Sequence, residues 1–147
     1  MDNNAHAALP ASVYQAIVNA APDAVILADA QGAIRLWNAA AEAMFGYAAS
    51  EVLGKSLDVI IPERFRKAHW NAFDKALATG ETKYAGRSLT TRSQHKDGRA
   101  LYVEMSFALM KDSGAGAGGA LAFVRDCTER YLAEKASRPG AATQKPS

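Results

Sequence analysis

Between Arg99 and Met110 the chain reads RALYVEMSFALM, in which Leu101, Val103, Met105, Phe107 and Leu109 alternate with Tyr102, Glu104 and Ser106. Successive side chains of a strand point to opposite faces, so a period of two buries one face. A strand patterned this way needs a sheet around it and a second layer over its apolar side. The remaining chain has to supply both.

Residues 1–11 are polar and alanine-rich and read as a flexible arm. From Ser12 to Ala21, Val13, Ile17 and Ala20 recur at helical spacing, with Ser12 as the expected N-cap. AVILADAQGAIRLW reads as two short strands joined by a turn at Asp29–Gly32. Asn38 is placed to cap a short helix, AAAEAMF, which Gly46 ends, and Ser50 starts a further helical turn. After the helix at 61–77, YAGRSLTTRSQ reads as a strand, HKDG as a turn, DSGAGAGG as a connector and ALAFVRD as the last strand. CTERYLAEKA then begins a helix, and 136–147 reads as a disordered tail. The order predicts one α+β domain over 12–135. It has a five-stranded antiparallel sheet, short helices and one longer helix on one face, plus an N-terminal helix. That first helix is expected to cover the outer face of the sheet and to pair with its copy in a homodimer.

The longer helix holds a residue that does not fit. In IPERFRKAHWNAFDKAL, Pro62 and Glu63 suit a helix start. At about 100° per residue, Phe65, Ala68, His69, Ala72, Phe73 and Ala76 share one face. His69 lies in the middle of that apolar stripe. An imidazole there is either a core histidine bonded to a backbone carbonyl or a ligand for a metal.

Several function classes drop out. A net charge of +2 on 147 residues, with basic residues dispersed, does not point to nucleic acid. No apolar run approaches the ~20 residues of a membrane span, and the N-terminus lacks a signal-peptide pattern. The expected location is the cytoplasm. The single Cys127 excludes an internal disulfide and a cysteine-rich zinc site. Ser/His/Asp, paired-carboxylate and phosphate-loop patterns are missing, so no enzymatic activity is expected.

The element order, with LWNAAAEAMFGY after the first hairpin, GKSL…IP before the longer helix and VRDCTER at the end, resembles a PAS domain. IPERFRKAHWNAFDKALATGETKYAGR…KDGR is similar to the haem-binding PAS domain of FixL-type oxygen-sensing kinases. In that family a PE-(P/R)-(Y/F)-R-x-x-H run carries the proximal histidine, and an (R/K)-D-G turn follows at the spacing found here, 97 − 69 = 28. The resemblance implies haem b (iron protoporphyrin IX) held by His69. It also implies a diatomic gas as ligand, and an output domain or a kinase partner in trans.

On the distal side the chain departs from the family. Leu89 stands where the family has an arginine that hydrogen-bonds oxygen or a propionate, and Arg87, two residues earlier, shares its strand face. Tyr84, Met105 and Phe107 match apolar distal positions, and the Met105 thioether is a candidate sixth iron ligand. Lys75 and Lys83 match positions near the propionates. Each has a plainer reading, Met105 as core filler and the cations as solvated side chains. Two rival functions stand beside the haem sensor: a cofactor-free interaction module, and a flavin- or metabolite-binding PAS domain.

Overall fold

The computed structural model describes residues 9–81, 88–111 and 117–137. Helix α1 spans Ala11–Ala20, followed by strands β1 (Ala24–Asp29) and β2 (Ile34–Trp37). Two short helices come next, α2 (Ala39–Phe45) and α3 (Ala49–Val52), then a 3-10 turn at Leu57–Ile60 and the long helix α4 (Glu63–Thr79). Strands β3 (Leu89–Gln94), β4 (Ala100–Lys111) and β5 (Ala117–Asp126) follow, and α5 (Thr128–Ser137) closes the described chain. The five strands form one antiparallel sheet in the order β2-β1-β5-β4-β3.

The alternation in β4 sets the layers as expected. Leu101 and Val103 are buried, Met105, Phe107 and Leu109 are partly buried, and Ser106, Ala108 and Met110 are exposed. Register carries this inner face across the sheet. One row runs Leu89, Met105, Val124, Ala24, and the next runs Phe107, Ala122, Ile26, Trp37. Phe45, Val52 and Ile60 from the helical side complete the core over it. Ser93 on β3 donates to the Ile60 carbonyl at 2.7 Å, which fastens the 3-10 turn to the sheet.

The local signals act where the residues put them. The Asn38 side chain accepts from the Ala41 N–H at the start of α2, and Gly46 ends that helix at φ 84. Helix α1, however, is preceded by Pro10 without a side-chain cap, so Ser12 is its second residue and not its cap. Strand β5 starts at Ala117, drawing the last three residues of the expected connector into the strand, with Ala117 and Gly119 paired to β4. The segment 82–87, read as strand, lies outside the described residues, as do 1–8 and 138–147.

The placement of α1 corrects the sequence expectation. None of its residues is buried, Ile17 is 57% exposed, and Phe123 on the outer face of β5 is 40% exposed. The helix is moored at its end instead, where Asn38 donates to the Val18 carbonyl. It therefore leaves outer-face apolar surface open. Among the described residues no helix is long and apolar enough to cross a membrane.

Candidate functional site

Helix α4 runs for 17 residues between Pro62 and the left-handed Gly80, and it approaches the sheet at β5. Its buried face overlaps only half of the apolar stripe. Arg66, His69, Trp70, Ala76 and Leu77 are partly buried and Phe73 is buried, while Phe65, Ala68 and Ala72 are exposed. At about 100° per residue that is roughly a quarter-turn from the alanine-rich stripe. The cause is polar. Arg66 donates from Nε to the Ile61 carbonyl at 2.9 Å and from its terminal nitrogen to the Asp58 carbonyl at 3.1 Å. Trp70 donates from Nε1 to Asp58 Oδ1 at 2.7 Å. These bonds seat the Arg66–Trp70–Phe73 side on the 3-10 turn, so Ala68 and Ala72 do not flank an enclosed space.

His69 stays on the inward side after this rotation. Its ring stands edge-on to Trp70, with centroids 4.6 Å apart and planes at 80°, and lies 6.0 Å from Phe73 at 29°. The Nδ1 atom is buried and has no hydrogen-bond partner. Burial pushes the imidazole below the ordinary histidine range, and the Asp58 carboxylate opposes that shift. Burial thus favours the neutral ring, the form that coordinates a metal. Trp70 in turn rests on Gly32, in the β1–β2 turn at φ 82, where a Cβ would run into the indole.

Opposite the helical layer, the sheet brings Leu89 and Met105 together as a cross-strand pair, with Phe107 at the next inward position of β4. Lys75 is exposed on α4. Lys83, Tyr84 and Arg87 lie outside the described residues. A cavity of about 650 Å³ opens beside Pro62, Glu63, Arg64 and Arg92, and one of about 150 Å³ lies by Met105, Phe123 and Arg125. His69 lines neither. Among the described residues no three His, Cys, Asp or Glu side chains gather as a bare ion would need.

The sequence matches the PAS fold over residues 13–127. The chain belongs to the PAS family. It is 33% identical over 123 residues to an uncharacterized protein of Azorhizobium caulinodans, covering 83% of this chain and 16% of that one. It is 29% identical to the sensor protein FixL of Bradyrhizobium diazoefficiens, covering 78% of this chain and 22% of that one. With the oxygen sensor protein DosP of Escherichia coli the identity is 30%, over 77% of this chain and 14% of the relative. This PAS domain thus spans under a quarter of each of these proteins. Among solved structures, the PAS domain of a Colwellia psychrerythraea protein superposes with TM-score 0.70 at 22% identity, covering 81% of this chain and 98% of that one. An RNA-binding light-oxygen-voltage receptor gives TM-score 0.65 at 23% identity, covering 89% of this chain and 39% of that one.

Sequence reading missed Asp58, Arg66 and Gly32 as neighbours of the His69 environment. Nothing local to Asp58 says that its carboxylate reaches an indole 12 residues on.

Proposed function

We propose that this PAS domain binds haem b through His69 and senses a diatomic gas or a change of redox state. The observation that carries the reading is the buried, unpartnered Nδ1 of His69 on the helix that faces the sheet. A buried polar atom left unpaired costs about 1–3 kcal/mol, so an imidazole is kept in such a place at a loss unless it has a ligand to serve. The inward row supplies an apolar wall in Leu89, Met105 and Phe107, with a thioether as the only soft donor among the three. When bound, haem would supply an iron centre able to take up a diatomic gas, with His69 as the residue that would hold it. The similarity to FixL and DosP supports the same reading.

The remaining residues offer a route outward. Strand β4 carries Met105 inward and Tyr102 outward, and Tyr102 exchanges hydrogen bonds with Thr128 at the start of α5. Tyr102 also stacks on Tyr131, with centroids 4.1 Å apart at 15°. A shift of β4 at the site therefore reaches α5 directly, and through it an output domain or a kinase in trans. The open faces of α1 and β5 favour a homodimer. No catalytic step is assigned to the chain itself.

The test is the absorption spectrum of the protein titrated with haemin. Stoichiometric uptake with a Soret band, lost in His69→Ala or converted to a five-coordinate site that imidazole rescues, is the expected result. The packing of Trp70 and Phe73 around His69 favours one rival, a cofactor-free interaction module. A colourless protein that takes up no haemin would establish it. A flavin spectrum would place the chain with the light-oxygen-voltage receptors instead.

A further inference from the structure

We infer that Asp58 is a positioning residue for the His69 imidazole, acting through Trp70. The inference rests on the haem reading only for what His69 does once it is held. Asp58 sits on a fastened platform. Its N–H donates to Ser56 Oγ at 3.1 Å, its carbonyl accepts from Ile61 at 3.1 Å and from Arg66, and Ile60 two residues on is pinned to β3 by Ser93. From that platform one carboxylate oxygen takes the Trp70 Nε1–H at 2.7 Å. The far edge of the same indole lies against Gly32, where even a Cβ has no room. Trp70 is thus clamped at two ends, by a charge-assisted hydrogen bond and by a turn.

A clamped indole constrains its neighbour. His69 meets Trp70 edge-on at 4.6 Å and Phe73 at 6.0 Å, and Trp70 and Phe73 meet each other at 5.1 Å and 80°. The three rings therefore meet pairwise, and the imidazole rests against the other two. With no hydrogen bond to Nδ1, ring packing takes the place of the polar partner that usually orients a ligating histidine. Releasing the Asp58 hydrogen bond frees the indole to turn, and His69 loses that flank.

The experiment follows the His69 ring by carbon-detected NMR at a fixed pH of about 8 in the haem-free protein, where the imidazole is neutral. Spectra are taken for wild type, Asp58→Asn, Asp58→Ala, Trp70→Phe, and Asp58→Ala in the Trp70→Phe background. Haemin affinity is measured on the same set. Asp58→Ala is expected to shift and broaden the His69 resonances and to weaken haemin binding by about threefold or more. Asp58→Asn keeps an oxygen acceptor and should leave both within about twofold of wild type. In the Trp70→Phe background, Asp58→Ala should add nothing, because its route to His69 is already cut. An equal shift in that background, or an Asp58→Asn effect as large as Asp58→Ala, would mean that the charge acts directly and would overturn the inference. Unchanged His69 resonances in Asp58→Ala would overturn it even if haemin binds normally. If wild type takes up no haemin while the NMR pattern holds, the haem reading fails and the positioning of His69 by Asp58 stands.

Discussion

Asn38 donates from Nδ2 to the Val18 carbonyl at 2.7 Å, across 20 residues of chain. The same side chain donates to the Asp23 carbonyl at 3.1 Å and accepts from the Val25 and Ala41 N–H groups at 2.9 and 3.1 Å. One amide, 1% exposed, thereby caps α2, holds β1 and moors α1. Replacing it with alanine removes the cap, worth about 1 kcal/mol, and strands at least one buried backbone group at about 1–3 kcal/mol. Asn38→Ala should lower unfolding free energy by roughly 2–4 kcal/mol in urea denaturation followed by tryptophan emission. A loss below about 1 kcal/mol would mean that water replaces these bonds at little cost.

His69 should make the haem-free domain less stable in mild acid. Its unfolded imidazole titrates near 6.5, and burial holds the folded value lower. Between those two values the unfolded chain binds the extra proton, so stability falls as pH falls through that window and is fully present above it. Glu51, drawn down by the Lys96 ammonium, and Asp97, drawn down by the Arg99 N–H, act in the same sense but at lower pH. Urea midpoints at about pH 7.5 and about pH 5.5 should therefore differ in wild type and converge in His69→Phe. Equal pH dependence in the two proteins would show that other groups cause it.

The parts of the fold legible in the sequence are those decided by neighbours in the chain. The inward set of β4 follows from alternation alone, and the Asn38 cap and the Gly46 stop follow from residues within one helix. The second role of Asn38, as a clasp on Val18, needs two segments brought together and left no local trace. The rotation of α4 escapes a hydropathy pattern for a related reason. Hydropathy sorts Arg66 as a solvent residue and Ala68 as a core residue, yet the carbonyls of Ile61 and Asp58 give Arg66 a partly buried seat. His69 stands out because it borders both faces, and Leu89 and Met105 because strand parity put them inward.

Apolar surface left open by α1 and β5 should be where two copies meet. Ile17 is 57% exposed, Phe123 40% and Met110 42%. Light scattering at high concentration should give the mass of a dimer, and Ile17→Glu or Phe123→Glu should each return it to that of a monomer. Far-UV circular dichroism should be unchanged, since neither side chain is part of the core. A wild-type monomer at high concentration would refute the dimer.

If the domain holds haem as proposed, the Leu89–Met105 pair should set which gas it prefers. The two residues face each other across β3 and β4 on the inward side of the sheet, and neither side chain can donate a hydrogen bond. Dioxygen on a ferrous haem draws negative charge and gains about 1.5–3 kcal/mol from a charged donor, whereas carbon monoxide gains far less. The wild type should accordingly bind carbon monoxide well and oxygen weakly, and should oxidise readily in air. Leu89→Arg should raise the ratio of oxygen to carbon monoxide affinity by about tenfold or more, since ~1.4 kcal/mol is a factor of ten. Met105 sets the second half of the test. If its thioether competes for the iron, the ferrous spectrum is low-spin and six-coordinate, and Met105→Leu makes it five-coordinate and speeds every ligand alike. If Met105 only fills the wall, Met105→Leu leaves the spectrum unchanged. An oxygen affinity that is already high, indifferent to Leu89→Arg but lost in Arg87→Ala, would move the donor from Leu89's position to Arg87.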